Sequence, residues 1–316
     1  RIINCFDESF ENLSPATFNQ QTFKSLDFVK ASFCYPSSDD KSLKNITFSL
    51  KSGEHLALVG SSGSGKSTII NLLLKLYMTQ KGDLFLNNID YLDIHPDLIR
   101  ANIAIVTQDV DLVPDTIYNN ILFGNLNADK NAVELAAKKA FIHDTIIKLP
   151  DKYDTVIDQD GGGLSVGQKQ RICLARALIK HADIYIFDEV TSSLDPISET
   201  NVQQSIFDHC QNKTMIWITH RLKTISSINS IIALDKGELV ESGSHNTLIN
   251  SNGYYNRMWN KQQGFNYNVA SNQFSITIER LKTISIFSLF NQDELKNIAD
   301  ILVCKSFFPY EIIFKE

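Results

Sequence analysis

An α/β fold built on a mostly parallel sheet is predicted by three observations. Short apolar runs at 55–59, 103–106, 184–187, 215–218 and 231–234 have the length of buried strands. Helix-like segments at 131–141, 166–180 and 197–209 alternate with them, the rhythm of parallel strands joined by crossovers. A GxxxxGK[ST] run, Gly60–Thr68, lies directly between the first of these strands and the helix-like Ile69–Leu76.

Taken in order, residues 1–25 are polar and mixed and read as a connecting arm. Leu26–Phe33 reads as a strand, Lys51–Glu54 as a turn, and His55–Val59 as the buried strand that feeds the glycine-rich loop. A last helix of the first domain is expected at Gly253–Gln263. The polar run Asn266–Gln273 reads as a linker, which sets a boundary near 265–275: a first domain at 26–265, a linker at 266–275, and the start of a second domain at 276–316.

With 316 residues, 43% hydrophobic and 21% charged, the chain has material for one large α/β core plus an appendage. A net charge of −6 gives no overall attraction to nucleic acid, and no nucleic-acid partner is expected. Cys5, Cys34, Cys173, Cys210 and Cys304 are scattered without a CxxC pair, as reduced thiols facing the cytosol would be. No apolar run reaches the 18 residues that a spanning helix needs, so the chain itself is expected to be soluble. It opens at Arg1 and stops at Glu316 inside an apolar stretch, and reads as a piece of something longer.

The chemistry is carried by a few short runs. In Gly60-Ser61-Ser62-Gly63-Ser64-Gly65-Lys66-Ser67-Thr68, glycines let the backbone wrap closely enough for its N–H groups to face phosphates. Lys66 reaches the β and γ groups, and Ser67 can ligate Mg²⁺. The strand at 184–187 ends in Asp188-Glu189: Asp188 suits the Mg²⁺ and Glu189 suits polarising the attacking water. A second glycine-rich turn, Gly161-Gly162-Gly163, opens a helix at Ser165 and is a second anion-binding design. One bound nucleotide is already held by the first cradle. The second is therefore expected to face another nucleotide, in a head-to-tail two-fold dimer that sandwiches two ATP molecules.

Together these residues resemble the nucleotide-binding domain of the ABC family from about Leu26 to Gln263. Leu164-Ser165-Val166-Gly167-Gln168 is similar to that family's LSGGQ signature. Gln108 resembles the glutamine that senses Mg²⁺ and the transmembrane partner, and Asp195, in Ser193-Leu194-Asp195, belongs to a run resembling the loop that crosses the dimer interface. His220 resembles the switch histidine near the γ-phosphate, and Tyr35 the aromatic that stacks on adenine. The resemblance implies an antiparallel β-subdomain, a helical subdomain carrying the signature, ATP and Mg²⁺ as ligands, and ATP hydrolysis. Contacts to ATP are implied for Tyr35, Gly60, Ser61, Gly63, Ser64, Gly65, Lys66, Ser67, Thr68, Gln108, Ser165, Gly167, Gln168 and Asp195, and to Mg²⁺ for Ser67, Gln108 and Asp188. Catalysis is implied for Glu189, His220 and Lys66.

The arm after Arg1-Ile2 and the run Asp115–Ile121 resemble exporter half-transporters, which implies a transmembrane domain fused before residue 1, a homodimer, and a place on the cytoplasmic face of a membrane. Val166 departs from the signature's first glycine. Asp158 and Gln159 depart from the exporter pattern TxVGExG, where coupling to the membrane domain would be altered. Beyond 276, a capped helix starting near Asn291 and a strand-like Glu311–Phe314 resemble the opening of a cyclic-nucleotide-binding domain. Two other functions fit parts of the pattern: a soluble ABC ATPase of DNA repair or translation, and an ATPase governed by a C-terminal ligand sensor.

Overall fold

The computed structural model describes residues 22–36, 42–157, 163–268, 273–287 and 289–302. Its centre is a six-stranded sheet in the order β10-β9-β3-β8-β7-β6, formed by β3 (His55–Gly60), β6 (Ile103–Val106), β7 (Ile184–Asp188), β8 (Thr214–Ile218), β9 (Ser230–Asp235) and β10 (Glu238–Gly243). All neighbours are parallel except β9 and β10, which form a hairpin. A four-stranded antiparallel sheet, β2-β1-β4-β5, packs on one side, built from β1 (Ser25–Phe33), β2 (Leu43–Lys51), β4 (Lys81–Leu86) and β5 (Ile89–Asp90).

The central strands are apolar on both faces because both faces are covered. Leu56, Leu58, Ile184, Ile186, Ile216 and Ile218 join a core with β1, β2, β4 and the helix α1 (Lys66–Leu73). Their alternates Ala57, Val59, Tyr185, Phe187, Met215 and Trp217 point into a second core. That second core is filled by α3 (Ile117–Leu122), α4 (Lys130–Lys139), α5 (His143–Ile146), α6 (Val166–Leu178) and α7 (Pro196–Cys210). The period of two along each strand divides one set of apolar runs between two cores. The short α2 (Pro96–Ala101), α8 (His245–Asn250) and α9 (Tyr254–Gln262) complete the unit.

Near two of the expected boundaries the structure shows packed or paired residues. The arm expected at 1–25 is already part of the fold by Phe23, which is buried and donates its N–H to Asp183 Oδ2 at 3.2 Å. Both ends of the linker expected at 266–275 are in paired strands: β11 (Phe265–Asn268) pairs antiparallel with β12 (Gln273–Ile276). The polar Asn residues mask an alternation, Phe265-Asn266-Tyr267-Asn268 against Gln273-Phe274-Ser275-Ile276, whose period of two is the strand signal. The hairpin leads to α10 (Ile278–Lys282) and α11 (Gln292–Ile301), and α11 begins with the expected Asn291 cap in a reciprocal capping box with Glu294. Asp158, Gln159, Gly161, Gly162 and the strand expected at Glu311–Phe314 lie outside the described residues. Among the described residues no helix is long and apolar enough to cross a membrane.

Candidate functional site

Three of the parallel strands, β3, β7 and β8, deliver polar groups at their C-terminal ends, the position at which open α/β sheets hold their ligands. From β3 the chain turns through Gly60–Gly65 into α1. Gly65 caps that helix at φ 105°, and a Cβ there would stand 2.7 Å from Leu43 Cδ2 and 2.9 Å from Ser42 O, so both its conformation and its space demand glycine. The buried Lys66 curls back on the loop, donating from Nζ to Gly60 O and Ser61 O at 2.9 Å and to Ser64 Oγ at 3.4 Å. Burial lowers its pKa, while the charges of Glu189 and Asp188 oppose the shift. The ammonium thus occupies a ring of oxygens that a phosphate would replace. Ser67 and the loop residues Ser61 and Gly63 are exposed beside it.

At the end of β7, Asp188 is buried, and its carboxyl is pushed up to about 6 by burial first and by neighbouring Glu189 second; Lys66 pulls it down and Asp109 adds to the rise. Glu189 sits at φ 51°, a left-handed conformation costing a non-glycine residue roughly 1–2 kcal/mol. Its N–H donates to Ile218 O of β8 at 3.0 Å, while its carbonyl accepts from Ser192 N at 3.1 Å and from Gln170 Nε2 at 3.2 Å. The carboxylate is turned toward His220, with Nδ1 and Oε1 3.1 Å apart. His220 is the more open partner, its side chain 55% exposed against 17% for Glu189. The loop after His220 is anchored by Arg221, whose guanidinium donates to Glu199 Oε2 at 2.6 Å and to Ser192 O at 3.1 Å.

The expected residues divide into two groups. Lys66, Asp188, Glu189 and His220 are brought together, with the loop of Gln108 close enough for Asp109 to act on Asp188. Tyr35 lies against the helix that follows the loop: its ring is perpendicular to those of Phe33 and Tyr77, and its hydroxyl donates to Thr68 Oγ1 at 3.4 Å. Ser165, Gly167 and Gln168 form a separate group at the start of α6. Ser165 caps the helix in a capping box with Gln168, and the bonds of these two residues run to each other. A Cβ on Gly167 would stand 3.2 Å from Ser193 O and 3.3 Å from Leu194 Cδ2, so glycine lets the Ser193–Asp195 loop lie close on the helix. Asp195 caps α7, accepting from Ile197 N and Ser198 N.

Four further residues bear on the site. Gln170 and the Glu199–Arg221 pair hold the Glu189 and His220 loops, and Gln262 of α9 accepts from Leu222 N at 2.9 Å and donates to His220 O. Gln170 lies two residues beyond Gln168, but nothing in a sequence pattern shows that its amide turns inward. Among the described residues no group of three or more His, Cys, Asp or Glu is arranged to hold a metal by itself. The buried carboxylate of Asp188, at the strand end facing Lys66, nevertheless fits a divalent cation that takes its remaining ligands from phosphate and water.

Comparison with known proteins decides the family. The pattern described as ABC transporter matches residues 43–192. This stretch is an ABC transporter domain. Over 238 residues the chain is 40% identical to an ATP-dependent lipid A-core flippase of Haemophilus influenzae, a match covering 75% of this chain and 40% of the relative. It is 40% identical over 223 residues to the human mitochondrial iron-sulfur clusters transporter ABCB7, covering 70% of this chain and 30% of that protein. A solved bacterial Atm1-family ABC exporter with ATP bound superimposes with a TM-score of 0.78 at 36% identity, covering 83% of this chain and 46% of the other. The chain therefore spans less than half the length of these relatives. The ABC domain is an ATP-binding ATPase of the type found in exporters.

Proposed function

We propose that this ABC domain drives export across a membrane by closing head-to-tail with a second copy around two Mg·ATP. Carrying the proposal is the Glu189–His220 pair, 3.1 Å apart at the ends of neighbouring parallel strands, with Lys66 and Asp188 alongside. Glu189 orients the attacking water and accepts its proton, and His220 holds Glu189 and donates to the γ-phosphate. Lys66 exchanges its loop oxygens for β and γ oxygens, its charge offsetting the charge of the transferring group. Ser67, Asp188 and Gln108 would hold Mg²⁺, which supplies charge neutralisation between the phosphates when bound. Backbone N–H groups of Gly60–Thr68 cradle the phosphates and Tyr35 stacks on adenine. Ser165, Gly167, Gln168 and Asp195 serve the nucleotide of the partner copy.

The nucleotide-binding unit occupies 26–265 in this reading. A transmembrane domain precedes residue 1 in the full-length protein, placing the ABC domain on the cytoplasmic face. In the direct test, Glu189→Gln retains ATP binding while turnover falls on the order of a thousandfold, loss of the water-orienting carboxylate being the cause. Equal turnover in variant and parent contradicts the assignment of roles.

A further inference from the structure

We infer that Gln170 is a positioning residue that ties the signature end of α6 to the catalytic Glu189, so that contact with nucleotide at Ser165 and the direction of this chain's own carboxylate change together. The inference rests on the proposed export mechanism for what Ser165 and Glu189 do, and on the geometry for how they are joined.

Gln170 is only 2% exposed, and a buried amide must find partners for both its carbonyl and its N–H groups. Its Nε2 donates to the backbone carbonyl of Glu189 at 3.2 Å, and its Oε1 accepts from Ser193 Oγ. Both partners are functional loops. Glu189 lies in the left-handed region, where the surroundings must over-determine the backbone to hold it. Of the two donors to its carbonyl, one is local, Ser192 N, and the other is Gln170, nineteen positions away on another element. The direction of the carboxylate follows from that backbone conformation. Removing the Gln170 donor therefore loosens the one residue whose aim at the attacking water matters most.

The other end of the lever is Ser165. Between them, Gly167 lies against Ser193, so the α6 start and the crossing loop form one packed body. Helix α6 is anchored by the fully buried Ile172, Leu174 and Ala175 and does not flex independently of that body. A shift of Ser165 on meeting a nucleotide is delivered through Gln170 to the Glu189 carbonyl within the same chain.

The test uses this chain with three substitutions. Gln170→Glu keeps the size and the acceptor toward Ser193 but loses the donor to Glu189. Gln170→Met fills the space without either bond, and Ser193→Ala removes only the loop leg. We expect Gln170→Glu and Gln170→Met to lower ATP turnover about tenfold, the worth of one buried hydrogen bond. Affinity for a fluorescent ATP analogue stays within about twofold, because the phosphate cradle is untouched. Ser193→Ala lowers turnover about threefold, and combining it with Gln170→Glu adds nothing, since both act through one amide. Turnover within twofold of the parent in a cooperatively melting Gln170 variant overturns the inference, as does an affinity loss equal to the turnover loss. If neither Gln170 variant folds, Ser193→Ala decides by the same two criteria. Sedimentation of Glu189→Gln with ATP separates the two layers of the argument. A monomer there removes the head-to-tail pairing while leaving the Gln170 effect to stand, whereas a dimer with parent-like Gln170 variants removes this inference alone.

Discussion

The loop at Gly60–Thr68 and the helix start at Ser165 are both glycine-containing turns that open a helix, yet the chain treats them oppositely. The first is closed on itself: Ser64, Lys66 and Thr68 are buried, and the lysine is held by oxygens of its own loop. The second faces outward, with Ser165 exposed and Val166 64% exposed, and its cap bonds satisfied locally. A cradle that gathers a buried cation and two neighbouring carboxylates can complete a phosphate site within one chain. A capped helix start turned to solvent offers donors without a charge partner, and it gains a function only when another molecule brings the anion to it.

Substitutions can break this contrast or sharpen it. The largest expected effect is that of Lys66→Ala, which removes the buried cation of the first cradle: turnover falls about a thousandfold, measured by phosphate release. Residual activity near the parent level would show that the first cradle does not hold the reacting phosphates. Next is Ser165→Arg, which blocks the exposed cradle: turnover falls about a hundredfold, while a fluorescent ATP analogue binds each copy within about twofold of the parent. Equal loss of binding and turnover would mean that both cradles grip one nucleotide in one chain. Ser165→Ala is smaller, costing about 1 kcal/mol of stability in urea denaturation through the lost cap.

The smallest effect lies away from both cradles and supplies their baseline. His209 sits between Lys139 Nζ at 3.3 Å and Lys213 Nζ at 3.2 Å, and burial first, then the charges of Lys213, Lys139 and His181, push its pKa down to about 4. Between the usual imidazole value and about 4 the unfolded chain takes up a proton that the folded chain refuses, so stability falls as pH drops through this window. His209→Gln should flatten the decline of Tm between neutral pH and pH 5, and identical slopes in both proteins would remove His209 as the cause.

Much of the site was legible in the sequence because its parts are local. A phosphate loop, a strand ending in two carboxylates and a capped helix start each occupy fewer than about ten residues and follow from backbone requirements that leave a residue-type signature. What the sequence hid is long-range or conformational. The left-handed Glu189 shows no glycine to announce it, and it is sustained by Ile218 and Gln170 from other elements. The inward turn of Gln170 and the brace from Gln262 to the His220 loop depend on which side of a helix meets which loop, a tertiary fact. The hairpin at Phe265–Ile276 was obscured by asparagines on alternate positions, where overall polarity outweighed period.

In the proposed dimer the outward cradle of one copy meets the nucleotide held in the inward cradle of the other. Sedimentation velocity of Glu189→Gln, with and without Mg·ATP, and again with Ser165→Arg added, tests it most directly. A dimer is expected only when ATP is present, and it is lost on adding Ser165→Arg although nucleotide still binds. A monomer in every condition, or a dimer indifferent to Ser165→Arg, would contradict it.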